Sequence, residues 1–587
     1  MPEYHPSPAD WRDLWIYFLL VDRFNNPGSP PRHQPWDGEH GGFQGGTLAG
    51  VRARLDYLAG LGAGAIWLSP VQRNPQWDDG AYHGYGIQDF LAIDPRLASD
   101  PEAARRDPGL VDRELRQLVD DAHARGLYVI FDVVLNHVGD LFAYEGHGSV
   151  APWRDDPYPV QWRDAEGRAR SDWPDPPPDA PRGAAVWPPA LRRSDRFRRR
   201  GNAFSRPGEA GEQAGDFFSL KELVTDGPQD DRPSVRDILI DASRQLIARF
   251  DVDGYRIDTL KYVEPEFARV FGNAMREYAL SIGKRNFFTF GEVYDSEEKI
   301  ARFIGRQAGE PGDLVGVDAA LDFPLFYVLP AVAKGLVAPA ALAGTFEHRT
   351  RVQRGLVSSH GEAGRFFVTF LDNHDQHERF RHADPADPAR FDDQVTLGIT
   401  CLLTLQGIPC LYYGTEQWLH GSGGSPESVR EALWGRPGAF DAADPLAAAL
   451  RALSELRRRE PALRYGRQYF RPVSGDGAHY GISPYPGGVL AYSRILYDRE
   501  VVVVANTDTG AAWAGEVVVD RHLSPAGARF VVSSSNARGG ATPPGPVIER
   551  AEGVVVHESD GRQGRGPLCA LPVTLGPMEV QVLSAGI

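Results

Sequence analysis

Residues 128–137 read YVIFDVVLNH. The first seven form a short, nearly continuous apolar run, as in a strand buried on both faces of a parallel sheet. Polar residues follow at once, Asn136 and His137, and Asp132 lies inside the run. A helical pattern at about 111–125 precedes it. The same alternation repeats outward in both directions. Residues 14–21, 65–70, 252–257, 286–290, 314–321, 366–371 and 408–412 are the other short apolar runs. Between the first two, Leu48, Val51, Leu55 and Leu58 recur at helical spacing. Thr47 is placed to cap that helix, and Gly60 and Gly62 to end it. Val235, Ile238, Leu239, Ala242, Leu246 and Ile247 make another helical stripe, leading into the run at 252–257. Eight such strand–helix units close naturally into a (β/α)8 TIM barrel of the α/β class.

One insertion interrupts the pattern. Residues 138–232 show little periodicity and hold the proline-rich WPDPPPDAP at 173–181 and an arginine cluster at 192–200. A polar stretch this long in a compact barrel reads as a lobe over the active face, not a bare loop. The arginine cluster, with Asp195 inside it, reads as a solvated face. From about residue 465 alternating strands take over, at 501–505, 529–532, 553–557 and 579–583, with Gly and Pro clusters between them. That is the pattern of a C-terminal antiparallel β-sandwich. The expected division is 1–137 with 233–464 for the barrel, 138–232 for the inserted lobe, and 465–587 for the β domain.

Composition narrows the function. With 42% hydrophobic and 24% charged residues, the chain is neither disordered nor a membrane bundle. Its net charge of -16 repels phosphate backbones, so no nucleic-acid partner is expected and a neutral substrate fits better. Three cysteines are too few for a disulfide framework in 587 residues and suit a reducing compartment. The first residues carry no basic leader, and the run at 14–21 is too short to span a bilayer. The expectation is a cytoplasmic protein without a membrane partner, with a secreted form whose signal has been trimmed left open.

In such a barrel the reactive groups sit at the C-terminal ends of the strands. The third strand ends with Asp132, Asn136 and His137. The fourth ends in GYRIDTLKY at 254–262, with Arg256, Asp258 and Lys261. The fifth ends in FTFGEVYD at 288–295, with Glu292, and the seventh in FLDNHDQ at 370–376, with Asn373, His374 and Asp375. The loop after the second strand carries AYHGYGIQDF at 81–90, with Tyr82, His83, Tyr85 and Asp89. Carboxylates crowded into one mouth raise the pKa of at least one of them. Glycoside hydrolysis needs this: one carboxylate attacks the anomeric carbon, and a protonated one, ~5–5.5 Å away for retention, serves the leaving oxygen. Arg256 stands two residues before Asp258, on the same face, where it keeps that carboxylate ionised. Tyr85 can stack on a sugar ring, and His137 and His374 can bond its hydroxyls. A metal-hydrolase reading of His374, Asp375 and His377, with His137, competes on spacing but leaves Arg256 unexplained.

These segments resemble, in order and spacing, the four hallmark regions of the α-amylase family of glycoside hydrolases, and the resemblance covers the whole chain. It implies Asp258 as nucleophile, Glu292 as general acid/base and Asp375 as transition-state stabiliser. It places Arg256, His137, His374 and Tyr85 around the sugar of subsite −1, and makes Asp132 and Asn136 structural. Thr259, with Lys261 and Tyr262 beyond it, resembles the pattern of α-1,4-acting members. The implied substrate is an α-1,4-linked glucan or maltooligosaccharide, with Lys261 toward subsite +2. Tyr82, Trp77 and Trp418 are candidate sugar platforms. A glucanotransferase or an α-glucosidase remains an alternative on the same scaffold, because hydrolysis and transglycosylation share the covalent intermediate. A non-catalytic glucan-binding relative would lack the carboxylates. The long lobe and the GSGGSPES loop at 421–428 point to a narrow cleft for short oligosaccharides. No cofactor is required. Structural calcium is left open at Asn136, with Asp216 of the lobe as a second ligand. At 41–46 GGFQGG has Phe43 where the resembling segment has a calcium-binding Asp, so a second calcium is not expected.

Overall fold

The computed structural model describes residues 4–227, 231–307, 314–359, 361–557 and 562–585. The eight apolar runs all contribute to one parallel sheet: β1 (Ile16–Leu19), β2 (Ala65–Leu68), β3 (Tyr128–Val134), β4 (Gly254–Asp258), β5 (Phe288–Gly291), β6 (Ala319–Ala320), β7 (Val368–Thr369) and β8 (Ile408–Tyr412). The order is β6-β5-β4-β3-β2-β1-β8-β7, and a parallel bridge from Leu321 to Val368 closes the ring. Each strand is buried over nearly its whole length, which is why these runs read as continuously apolar.

The helices cover the outside through apolar stripes. In the helix Gly109–His123 the buried apolar residues are Val111, Leu115, Leu118, Val119 and Ala122, spaced along one face. The helix Val235–Phe250 starts at a capping box between Ser234 and Asp237. Two local expectations need correction. The run at 14–21 is a shorter strand followed by the one-turn helix Val21–Phe24. The stripe at 48–58 is not one helix but two, Leu48–Arg52 and Leu55–Leu61. Asn25 Nδ2 donates to the carbonyl of Gly50 at 2.9 Å, so the next turn shifts and Arg54 N bonds Val51 O at 2.9 Å.

The lobe follows β3. It is pinned by a ribbon in which His137 and Val138 pair antiparallel with Glu222 and Lys221. The arginine cluster is not a solvated face throughout. Arg192 and Arg196 are buried. Arg192 donates to the carbonyls of Val186 (3.0 Å) and Ala180 (3.1 Å), and Arg196 to that of Pro233 (3.2 Å). A lobe poor in helix and strand leaves buried carbonyls without ladder partners, and these guanidinium groups supply them.

Beyond the helix Pro445–Arg459, a five-stranded and a seven-stranded sheet pack face to face. Val502, Val504 and Leu583 of one meet Val517, Leu571 and Val573 of the other. The pairing is antiparallel except for His479–Gly481 with Val555–His557, which run parallel. The three cysteines are free and buried. Among the described residues no helix is long and apolar enough to cross a membrane.

Candidate active site

The C-terminal strand ends and the lobe enclose a cavity of about 430 Å³, lined among others by Tyr85, His137, Asp258, Glu292, Asp375 and Arg430. Three larger hollows, 620–710 Å³, open elsewhere on the surface, and none is lined by those carboxylates.

Strand alternation puts Arg256 and Asp258 on the inner face of β4, with Arg256 in register with Asp132 of β3. The Arg256 guanidinium then joins three acids. Its Nη1 donates to Asp258 Oδ1 (2.7 Å) and Asp132 Oδ1 (2.9 Å), and its Nη2 to Glu292 Oε2 (2.6 Å). Asp132 is fully buried and also accepts from Trp67 Nε1 (3.1 Å) and the Tyr85 hydroxyl (3.0 Å). At Gly291, just before Glu292, a Cβ would lie 2.1 Å from Leu260 Cδ2, so any larger residue would displace the Leu260 side chain. This close approach lets the ends of β4 and β5 meet. Thr259 holds φ +46°, the left-handed region that strains a β-branched residue. In that conformation its N donates to Glu292 Oε2 (3.0 Å) and its hydroxyl to Asp258 Oδ2 (3.1 Å).

The environment separates the acids. Burial pushes Glu292 up to about 8, against Arg256 and with Asp258 and Asp375 adding to the rise. Burial likewise raises Asp132, to about 7. Burial would also raise Asp375, but His374, Arg430 and Arg256 outweigh it and hold its carboxyl below the ordinary value. The Asp375 side chain is 41% exposed, facing the opening. Burial lowers His83 and His374 to about 3, and His137 falls for the same reason, so these rings are neutral near pH 7. His137 Nε2 lies 3.8 Å from Asp258 Oδ2, and His374 Nε2 lies 3.2 Å from Asp375 Oδ2. No ring nitrogen of these two buried histidines has a hydrogen-bond partner. His137 lines the cavity, where its orphaned nitrogens are ready for the hydroxyls of a ligand, and His374 lies just behind the lining residue Asp375.

Of the residues singled out in the sequence, Tyr85, His137, Asp258, Glu292 and Asp375 line the cavity, with Arg256 and His374 bonded to or beside them. Others lie apart. Tyr82 is no free platform. Its ring is buried, with the Arg23 guanidinium 3.9 Å above it, and its hydroxyl accepts from Arg430 Nη1 at 2.9 Å. Lys261 is not on the cavity wall; Glu212 (3.0 Å) and Asp295 (3.1 Å) hold its ammonium. The Trp418 indole donates to Asp444 at 3.0 Å. Residues not anticipated include Phe217 and Phe218 of the lobe and Arg430, whose Nη2 bonds Asp375 Oδ1 (3.0 Å) and whose Nε bonds His374 O (2.8 Å). Arg430 follows β8 by a long loop with no periodic pattern, so the sequence carries no signal for it.

The metal readings fit poorly. Among the described residues no group of three or more His, Cys, Asp and Glu is placed to hold a metal ion, so His374, Asp375 and His377 do not assemble one. Asn136 is buried off the cavity. Asp216, the expected second calcium ligand, is already engaged by the Lys221 ammonium (3.5 Å), the Tyr144 hydroxyl and Glu222 N (3.0 Å). The pair Asn136 and Asp216 therefore does not fit a calcium site.

The family model of the α-amylase catalytic domain matches residues 18–443. The α-amylase of Streptomyces lividans is 30% identical over 526 residues, covering 81% of this chain and 52% of that protein. The chain thus spans about half the length of that relative. In fold it is similar to the α-amylase of Geobacillus thermoleovorans solved with acarbose, at TM-score 0.65 and 24% identity, covering 99% of this chain and 100% of that one. It is also similar to CldA, a cyclomaltodextrin glucanotransferase with a three-domain ABC distribution, at TM-score 0.65 and 22% identity, covering 98% and 99%. The chain belongs to the α-amylase family, glycoside hydrolase family thirteen.

Proposed function

We propose that the chain is a retaining glycoside hydrolase acting on α-1,4-linked glucans or maltooligosaccharides through a covalent glycosyl-enzyme intermediate. One observation carries the reading: a single guanidinium, Arg256, bridges Asp258 and Glu292, while burial keeps Glu292 protonated. Sharing one guanidinium favours the ~5–5.5 Å separation of retention over the ~6.5–9.5 Å of inversion. Asp258, oriented by Arg256 at 2.7 Å, attacks the anomeric carbon. Glu292 gives its proton to the leaving oxygen and then, as a carboxylate, takes one from the incoming water. Asp375, held below its ordinary pKa, offers negative charge to the oxocarbenium-like transition state. Tyr85 supplies a ring face, and the unpaired nitrogens of His137 and His374 take sugar hydroxyls.

A glucanotransferase is the second reading. Phe218, on the cavity wall, is 54% exposed and stacks on Phe204, also exposed, at 4.8 Å. An exposed aromatic pair at the rim gives an acceptor sugar a face to compete with water. The likeness in fold to CldA is compatible with it.

The time course of products from maltoheptaose, with Asp258→Asn as blank, tests both. Shorter oligosaccharides alone, absent in the blank, are expected for the hydrolase. Products longer than the substrate, or cyclic ones, carry the transferase reading instead. Undiminished activity of Asp258→Asn would contradict both.

A further inference from the structure

The lobe closes on a buried ammonium. Lys221 is fully buried, and its Nζ lies 3.5 Å from Asp216 Oδ2 and 3.7 Å from Asp140 Oδ1. It also donates to the carbonyl of Ser149. The rings of Tyr144 (4.6 Å) and Phe142 (5.2 Å) cover it. Asp140 comes from the turn just after β3, Ser149 from the start of the lobe, and Asp216 from its end. A hard divalent cation gathers carboxylates and carbonyls from distant segments in this way. Here the convergent oxygens already have a positive centre of the chain's own. The ion pair is dry, so an added divalent ion would meet the ammonium at close range in a low dielectric and be repelled.

We infer that Lys221 takes the place of a structural divalent cation, so that the lobe is held over the barrel mouth without calcium. The clamp bears on the site as well as on the lobe. Lys221 and Glu222 pair with Val138 and His137 in the ribbon after β3, and that ribbon presents His137 to Asp258. Lys221 is thus a positioning residue for the wall of the cavity, whatever the substrate proves to be. On the same ribbon Glu222 Oε2 is buried without a partner, the one carboxylate oxygen there that an added cation could take.

Melting curves of the full chain in excess EDTA and in millimolar calcium chloride test the inference without reference to activity. The two curves are expected to coincide. Lys221→Met, which keeps the apolar stem and removes the charge, is expected to melt roughly 5 °C or more lower, because it leaves the buried Asp216 carboxylate without its cation, while Asp140 keeps Arg163 at 3.0 Å. Glu222→Gln is expected to leave the wild-type indifference to calcium intact. A wild-type chain that EDTA destabilises and calcium restores overturns the inference. So does a Lys221→Met variant that melts with the wild type. Should that variant fail to fold, the wild-type pair of curves decides alone.

Discussion

Arg256 fixes the chemical character of the neighbours it joins. It stabilises the charge on Asp258, yet it does not compensate for the burial of Glu292, which stays protonated to about pH 8. A general acid must carry its proton, so kcat/KM is expected to hold below that value and fall as pH rises through it. A pH–rate profile checks this. Glu292→Gln should lower kcat on maltoheptaose by about 10²–10⁴ and cost less with an aryl leaving group that needs no proton; equal losses on both would remove Glu292 from this role. The sign of the stability effect follows from the same burial. A carboxyl whose folded pKa is raised loses stability as pH rises from its unfolded to its folded value. Glu292→Gln is therefore expected to melt above the wild type at alkaline pH, by calorimetry. These residues were legible because each stands at the polar end of an apolar run. Arg430 and the burial of Tyr82 were not, since both depend on how a long loop returns across the barrel.

At the scale of elements, the strands were legible and the loops were not. A parallel strand buried on both faces must be continuously apolar, and each of the eight runs in the sequence holds one barrel strand, though those at 314–321 and 366–371 shrink to the two-residue strands Ala319–Ala320 and Val368–Thr369. The helix break after Arg52 was hidden, because the apolar stripe continues through it while Asn25 captures one carbonyl. The lobe was legible only as an absence of pattern. Its buried arginines read as surface because charge runs usually are. The loop after β8 has its own consequence. Arg430, at its end, bonds Asp375 and helps hold it ionised. Arg430→Gln is expected to lower kcat/KM by about tenfold through a looser Asp375. It should also shift the acid limb of the pH profile upward, because removing the positive charge lets the Asp375 pKa rise. An unchanged acid limb would leave Arg430 with a packing role only.

The whole molecule divides stability from chemistry along the barrel axis. At the N-terminal ends of β3 and β4, Asp253 is fully buried between His123 Nε2 (2.8 Å) and Lys284 Nζ (2.8 Å) and accepts from Val129 N (2.8 Å). Burial alone would raise its pKa, but His123 and Lys284 outweigh it and hold it below the ordinary value. Its stabilisation is present above the unfolded pKa and fades as pH falls through the folded one. Asp253→Asn is expected to cost about 3 kcal/mol at neutral pH and less in acid, in denaturant titrations. Its kcat/KM should stay within about twofold, because the reactive face lies at the other end. The bridged pair of Asp258 and Glu292 sits at that reactive face, and the stereochemistry of the first product tests it most directly. Proton NMR of maltoheptaose cleavage, read before mutarotation, is predicted to show the new reducing end as the α-anomer, the configuration retained through an Asp258 intermediate. The β-anomer appearing first would mean direct attack by water and would contradict the account.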